Sequence, residues 1–300
     1  MSEGHSENRF DVYRTVTQNI VEAIEAGTGT FVMPWHGGGA AIGKPENAYT
    51  RMEYHGINVL ALWAQACLVG FGSGYWASYK QWQHAGAQVK RGEHGTTIVF
   101  FKRLDGPGAD AEEEEDQPRS RLVARASRVF NADQVEGWQP PASYPKGDLV
   151  ETLTAVDTFV RSTGARITHG GSRAFYSIPD DAIQLPDRNR FTGTETSTAT
   201  EAYYATVLHE LVHWTGAAHR LDRSLAFTSK AEIAAEELVA EIGAAFLCAD
   251  LHVANTPRRD HAAYVANWLE LLRGDARAIF TAARGASAAA SYLHELVAAT

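Results

Sequence analysis

The segment His209-Glu210-Leu211-Val212-His213 constrains this chain more than any other feature of its sequence. On an α-helix, positions i and i+4 lie one turn apart on the same face, so both imidazoles can reach one ion. Glu210 follows the first histidine, where its carboxylate can activate a water molecule. Zinc binds two histidine nitrogens and one carboxylate oxygen well, and keeps a fourth position for water. The pattern therefore predicts a zinc metallopeptidase site with two histidine ligands and Glu210 as the catalytic base.

The surrounding sequence supports a helical setting for this pattern. Apolar residues flank it at helical spacing, the predicted helix covers 197–216, and Gly216 is a natural stop. The alternative is that His209 and His213 are ordinary residues on a helix face and bind no metal. The pattern by itself is short enough to occur by chance, so the third ligand matters.

A second predicted helix, over 231–250, supplies candidate carboxylates. This segment is rich in alanine and other apolar residues and is expected to be buried, and a buried carboxylate must be paired or bound to a metal. Glu237 and Glu241 are four residues apart and share a face. We assign Glu237 as the third ligand and Glu241 as the hydrogen-bond partner of a ligand imidazole. The reverse assignment stays open, and Glu236 is expected to point elsewhere.

His219 is a rival third ligand. The run HELVHWTGAAH fits the longer pattern His-Glu-x-x-His-x-x-Gly-x-x-His literally. We favour Glu237, a gluzincin-like arrangement, because the paired glutamates would otherwise have no role. All three methionines also precede the site, which leaves none for a methionine turn after it. The remaining candidates are interpreted as ordinary polar or capping residues: His84, His94, His169 and His294.

The first part of the chain is dense in aromatic residues, with basic residues among them. Rings that stack on bases beside cations that follow phosphates are typical of proteins that bind single-stranded DNA. Packing in a core is the alternative role for these rings. The glycine-bounded segments 72–82 and 89–95 are the more exposed in character. The candidate DNA contacts are Arg51, Tyr75, Trp76, Tyr79, Lys80, Lys90 and Arg91.

Composition sets limits on these hypotheses. A length of 300 residues, 45% of them hydrophobic, allows two globular domains. The net charge of −9 excludes a generic nucleic-acid binder, but residues 9–104 carry nine basic and six acidic residues, a net of +3. Cys67 and Cys248 are predicted to be buried free thiols, which fits a reducing cytoplasm. No signal sequence and no membrane span are expected.

The predicted fold class is α+β with two domains. Residues 1–140 form an N-terminal α+β domain, 141–148 a linker, and 149–300 a mostly helical domain with a small sheet. The first domain contains a predicted hairpin of strands 96–103 and 122–131. Its tip holds an acidic run that is expected to be solvated, or alternatively to be an interaction segment. Further predicted elements are helices at 10–26, 57–69, 78–85, 149–162, 257–270 and 276–298, and short strands at 166–178 and 182–184.

Both halves resemble the ArdC-type antirestriction proteins of conjugative plasmids. The N-terminal resemblance rests on five short segments: 20–27, Pro34-Trp35, Asn47-Ala48-Tyr49, 54–60 and 89–95. The C-terminal resemblance rests on LHELVHWTGAAHRLDR and EELVAEIGAAFLCADL. The resemblance of both halves implies an N-terminal domain that binds single-stranded DNA. It also implies a zincin-like domain similar to Spartan-type proteases of DNA–protein crosslinks. The acidic residues at 110–116 depart from the family pattern.

The resemblance implies an antirestriction protein that protects incoming plasmid DNA during conjugation. Its metallopeptidase site, loaded with zinc or a similar divalent ion such as Mn²⁺, would act on proteins bound to single-stranded DNA. One alternative is a coat or decoy on single-stranded DNA, with a structural metal domain and no proteolysis. Another is a free cytosolic peptidase without a DNA role.

Overall fold

The computed structural model describes residues 11–27, 43–104, 121–141, 149–193, 198–225, 227–254 and 261–300. The helices are α1 (Val12–Gly27), α2 (Ile57–Val69), α3 (Tyr79–His84), α4 (Leu149–Ser162), α5 (Ala199–Thr215), α6 (Lys230–Asp250), α7 (His261–Gly274) and α8 (Ala278–Ala298). The strands are β1 (Glu46–Asn47), β2 (Tyr75–Ala77), β3 (Gln88–Val89), β4 (Thr96–Leu104), β5 (Arg121–Asn131), β6 (Val135–Glu136), β7 (Arg166–His169), β8 (Phe175–Ser177) and β9 (Ala182–Leu185). The acidic run and nearly all of the predicted linker lie outside the described residues, so the domain boundary stays a prediction.

The N-terminal half is built on a four-stranded sheet in the order β1-β2-β5-β4. The predicted hairpin is present, with β4 antiparallel to β5 in a register that runs from Thr96 opposite Val129 to Leu104 opposite Arg121. Helices α1 and α2 pack against these strands. The four-residue spacing of apolar residues in α1 buries Val16, Ile20 and Ile24 on one face, as the periodicity predicts.

The C-terminal half is mostly helical and carries a three-stranded sheet in the order β7-β9-β8. The predicted single strand over 166–178 is two strands, because Gly170 and Gly171, both with positive φ, turn the chain between them. Strands β8 and β9 pack on α5. Capping boxes at Thr198 and Ser229 fix the first turns of α5 and α6, the two helices that carry the predicted site.

One hydrophobic core runs through both halves of the molecule. Its buried residues extend from α1 and α2, through α5 and α6, to α7 and α8. Helix α1 packs on α7, and α2 packs on α8. The Thr17 hydroxyl donates to the carbonyl of Ala276 at 2.6 Å, and the Lys44 ammonium lies 2.6 Å from the Asp250 carboxylate. The two halves are therefore joined by packing and by polar contacts.

The two cysteines differ in environment, which corrects one expectation. Cys248 is buried in α6 as predicted, and its burial raises the pKa of the thiol. Cys67 is exposed. The apolar sequence of α2 predicts burial along its whole length, but its buried residues end at Ala64 and its last turn faces solvent. Among the described residues, no helix is both long enough and apolar enough to cross a membrane.

Candidate metal centre

The structure brings His209, His213 and Glu237 together between α5 and α6. The two histidine Nε2 atoms are 3.2 Å apart. Glu237 Oε2 lies 3.6 Å from His209 Nε2, and Glu237 Oε1 lies 3.7 Å from His213 Nε2. Among the residues that the structure describes, these three form the group whose donor atoms all lie within 4.8 Å of one another.

This donor set fits a divalent metal. Zinc–nitrogen bonds of about 2.0–2.1 Å at a tetrahedral angle separate two ligand nitrogens by roughly 3.3 Å. The observed 3.2 Å between the imidazole nitrogens is close to that value. Two imidazoles and one carboxylate are also the donor types that zinc prefers in sites that keep an open position.

Glu241 supports the first histidine. Its Oε2 lies 3.5 Å from His209 Nδ1, and both side chains are buried. A carboxylate at Nδ1 favours the tautomer that leaves the Nε2 lone pair free for a metal. The structure thus places Glu241 next to a ligand imidazole, where the sequence hypothesis put it.

Glu236 supports the second histidine, and the expectation that it points elsewhere is wrong. Its Oε1 lies 3.1 Å from His213 Nδ1. Successive residues of an α-helix are rotated by about 100°, so positions 236 and 241 lie on either side of 237. Each can therefore reach the outer nitrogen of one histidine. The i and i+4 spacing relates Glu237 to Glu241 alone, so it does not indicate this third carboxylate.

Arg223 is a further residue of the site that the sequence did not indicate. Its Nε and Nη2 donate to the two carboxylate oxygens of Glu236, at 3.1 and 2.9 Å. The same guanidinium donates to the Thr215 hydroxyl and to the carbonyl of Val212, at the end of α5. Burial raises the pKa of Glu236, but hydrogen bonds from His213 and Arg223 outweigh it and hold that pKa below its usual value.

Glu210 and His219 occupy contrasting positions. Glu210 is buried in α5 and directly follows His209 in the sequence, the position of the base in a His-Glu-x-x-His motif. His219 lies in the turn after α5, with 63% of its side chain exposed, and its Nε2 is 3.4 Å from Asp181 Oδ2. It does not belong to the donor cluster, so the geometry favours Glu237 over His219 as the third ligand.

The turn that carries His219 is fixed by Arg220. Its guanidinium stacks on the Trp214 ring at 3.8 Å and donates to the Tyr176 hydroxyl at 3.1 Å. It also forms an ion pair with Asp181. Hydrogen bonds from Arg220 are the main cause that lowers the pKa of Asp181 to about 2. Arg220 thereby ties the end of α5 to the small sheet.

The predicted DNA contacts in the N-terminal half are mostly at the surface. The Arg51 guanidinium lies 5.2 Å from the Tyr75 ring, which meets Trp138 edge to face at 5.2 Å. Tyr79 is 42% exposed. The other three basic candidates are exposed: Lys80, Lys90 and Arg91.

Trp76 is an exception, and its prediction as a DNA contact is wrong. Its side chain is 1% exposed and packs in the core against Phe71. Tyr75 and Trp76 are neighbours on β2, and successive residues of a strand point to opposite faces. Trp76 therefore points into the core, and Tyr75 points away from it. Tyr49 and Met52, at 50% and 66% exposed, lie in the same half and were not assigned from the sequence.

Comparison with known proteins assigns a different family model to each half of the chain. Residues 10–130 match the model of the N-terminal domain of the anti-restriction factor ArdC, and residues 154–285 match a zincin-like metallopeptidase model. The metal-free crystal structure of the antirestriction ArdC protein from the R388 plasmid is 36% identical, with a TM-score of 0.75, over 97% of this chain and 99% of that chain. This chain belongs to the ArdC family of antirestriction proteins.

Other similar proteins include a second structure of the R388 protein, a chain of similar length and two much longer primases. The Mn(II)-bound structure of the same R388 protein is 34% identical, with a TM-score of 0.73, over 96% of this chain and 99% of that chain. An uncharacterized protein of Sinorhizobium fredii, y4eC, is 43% identical over 95% of this chain and 92% of its own length. Two DNA primases TraC of Escherichia coli are 35% and 36% identical over 94% and 91% of this chain, which spans 20% and 26% of their lengths.

The comparisons and the geometry agree on the zincin-like character of the C-terminal half. The matched range 154–285 contains all of α5 and α6, and so every residue of the donor cluster. The predicted two-domain α+β fold is thereby confirmed. The zincin-like domain implies a metal, and the R388 protein has a structure with Mn(II) bound. Trp138, which completes the surface around Tyr75, lies beyond the residues matched by the ArdC N-terminal model.

Proposed function

We propose that this antirestriction protein binds single-stranded DNA and cleaves proteins associated with it, using a zinc-dependent metallopeptidase site. It thereby protects plasmid DNA that enters a recipient cell during conjugation, and it acts in the cytoplasm, where that DNA meets restriction enzymes. The observation that carries the proposal is the cluster of His209, His213 and Glu237, with Glu210 next to His209 in the sequence and buried in α5. The relation to ArdC and to the TraC primases supports the DNA context.

The residues of the cluster divide the chemistry among them. The two histidines and Glu237 would hold a divalent metal, which when bound would act as a Lewis acid on water and on a peptide carbonyl. A carboxylate oxygen of Glu210 accepts a proton from the attacking water and delivers it to the leaving amine. Glu241 and Glu236 hold the imidazole rings of His209 and His213 in the orientation that binding requires.

The N-terminal half supplies the DNA surface in this proposal. Half-exposed rings such as Tyr79 can stack on bases, and this interaction tolerates any sequence because every base has a flat face. The exposed cations Lys80, Lys90 and Arg91 can follow the phosphates. The net negative charge of the chain opposes this only weakly, because charges further away than about 8 Å are largely screened at physiological salt.

The peptidase half of the proposal is tested with Glu210→Gln. The amide keeps the shape of the side chain but cannot accept the proton. We expect cleavage of a DNA-bound protein substrate to fall about 10²- to 10⁴-fold, with bound metal unchanged. Glu295→Gln, the same change at an exposed position of α8, is the control and should leave cleavage intact. Full activity of Glu210→Gln, or loss of its metal, would contradict the scheme.

The role of proteolysis in protection is tested with the same variant. Plasmid transfer into a restricting host is measured with wild type and with Glu210→Gln. Loss of protection supports proteolysis, whereas full protection supports the coat or decoy with a structural metal. Filter binding of labelled single strands across a salt series tests the DNA role, because phosphate contacts give a steep salt dependence. Metal analysis of the purified protein distinguishes zinc from manganese.

A further inference from the structure

The hairpin of β4 and β5 is a two-stranded ribbon whose first strand becomes exposed at Phe100. The first four residues of β4, 96–99, are buried. The next two, Phe100 and Phe101, are 54% and 50% exposed. Successive residues of a strand point to opposite faces, so Phe100 and Phe101 each expose about half of a ring on a different face. Each ring is therefore accessible to a partner. On β5, Val123 and Ala124 are half-buried, and Ala124 packs against the core.

The strand register shows which residues share a face with each phenylalanine. Phe101 lies opposite Ala124, and Thr97 lies opposite Arg128. Residues directly opposite in an antiparallel pair, and every second residue along each strand, are on the same face. Phe101, Arg128 and Phe130 are therefore on one face. Phe100 and its partner Arg125 are on the other.

The face with Phe101 reaches the aromatic surface of the N-terminal half along β5, because Thr97 and Val99, the residues of that face on β4, are buried. The Phe130 ring meets the Tyr79 ring at 6.3 Å, and Tyr79 is a proposed DNA contact. Between Phe130 and the end of the ribbon, Ala126 and Arg128 are exposed along β5. Arg128 Nη1 donates to the carbonyl of Gly95 at 2.8 Å, which holds its guanidinium against the sheet. The order along this face is ring, ring, cation, ring.

The charge of the hairpin favours a polyanion as the partner. In a chain of net charge −9, the β4 and β5 segments contain no Asp or Glu. They contain five basic residues: Lys102, Arg103, Arg121, Arg125 and Arg128. Phosphates are attracted to such a segment, and aromatic rings beside them can stack on unpaired bases. A duplex does not offer free base faces to Phe101, so the partner that fits is a single strand.

We propose that the row Tyr79, Phe130, Arg128 and Phe101, the ribbon track, is a second contact for single-stranded DNA. It rests on the DNA-binding function proposed above and extends that surface along β5. Arg128 contacts a phosphate while Phe101 stacks on a base. The acidic run that begins at Asp105 offsets the cations nearest to it, Lys102, Arg103 and Arg121, so the contact ends near Phe101.

The test uses two neighbouring phenylalanines that differ in face but hardly in exposure. Binding of a labelled oligothymidylate to the full chain is measured for Phe101→Ala and Phe100→Ala. We expect Phe101→Ala to weaken binding roughly 5- to 100-fold, the loss of one stacked base, and Phe100→Ala to change it less than about twofold. Thermal unfolding of both variants confirms that the fold is intact.

A salt series distinguishes a phosphate contact of Arg128 from non-specific binding. A lost phosphate contact lowers the slope of log K against log salt by about 0.7 for a single strand. We expect this for Arg128→Gln and no change for Arg125→Gln on the opposite face. Equal losses for both phenylalanines, or none, overturn the ribbon track. A change in oligomeric state for Phe101→Ala, with DNA binding intact, assigns the face to a second copy and also overturns it. If the wild type itself fails to bind single strands, the proposed function fails as well.

Discussion

At the scale of single residues, three carboxylates of α6 divide two tasks. Glu237 faces the Nε2 atoms of both histidines, at 3.6 and 3.7 Å. Glu241 and Glu236 each face the Nδ1 atom of one histidine, at 3.5 and 3.1 Å. The donor position and the two orienting positions therefore come from six consecutive residues of one helix. Substitutions at these positions should separate ligand binding from ligand orientation.

Metal affinity provides that separation. We expect Glu237→Ala to lose most metal binding, because it removes one of three donors. Glu236→Gln should weaken it by about 10- to 100-fold, because the amide no longer orients His213 as firmly. His219→Ala, at an exposed position outside the cluster, is the control and should bind metal like wild type. Competition with a chelator measures all three, and metal loss in His219→Ala with retention in Glu237→Ala would reverse the assignment.

The sequence predicts two of the three donors, because helical spacing alone brings His209 and His213 onto one face. It does not predict the role of Arg223, which reaches Glu236 from the turn after α5, at a distance set by packing. It also does not distinguish Tyr75 from Trp76. A strand of three residues shows no periodicity, so only the packed sheet decides which ring is buried.

At the scale of elements, the long periodic segments were predictable and the short ones were not. Helix α1 was predictable from the four-residue spacing of its apolar residues, and the β4–β5 hairpin from its two long strand-like segments. Strands β1, β3 and β6 have two residues each and exist because a neighbouring strand pairs with them. The distance between α5 and α6 is likewise set by the packing of the two helices on each other, so the sequence of either helix alone does not predict it. It depends on Gly243, where an added Cβ would lie 2.8 Å from Val212 Cγ2.

Gly243→Ala should therefore disturb both stability and the metal site. Val212 lies between the two ligand histidines and, as a β-branched residue, has little freedom to move aside. We expect a loss of about 1–3 kcal/mol in the free energy of unfolding, partly offset by about 1 kcal/mol of helix propensity, and weaker metal binding. Urea unfolding and chelator competition measure the two effects.

Two further variants identify the cause. Gly274→Ala makes the same change where an added Cβ meets nothing within 4 Å, so it should not destabilise the protein. Val212→Ala in the Gly243→Ala background removes the clash and should restore metal affinity in part. A Gly243→Ala protein as stable and as metal-competent as wild type would show that the helices can separate without cost.

At the scale of the whole molecule, the family comparison divides the chain in two but the core does not. Helices α1 and α2 cover parts of α7 and α8, and Lys44 pairs with Asp250 at the end of α6. We expect the fragment 149–300 to unfold at lower urea than the full chain and to bind an apolar dye, because those helix faces become exposed. An unchanged midpoint would indicate that the C-terminal half is stable on its own.

The side chain of Asn58 has a consequence for how this molecule behaves among copies of itself. Its Nδ2 donates to the carbonyl of Val99 at 2.9 Å, and its Oδ1 accepts from the amide of Val99 at 2.8 Å. The amide thus occupies both backbone groups of one residue on the outer edge of β4, as a further strand would. An open strand edge is a template for aggregation. With the backbone groups of Val99 already hydrogen-bonded to Asn58, an incoming strand cannot pair along the whole edge of β4. Asn58 should therefore help keep the protein dispersed at high concentration.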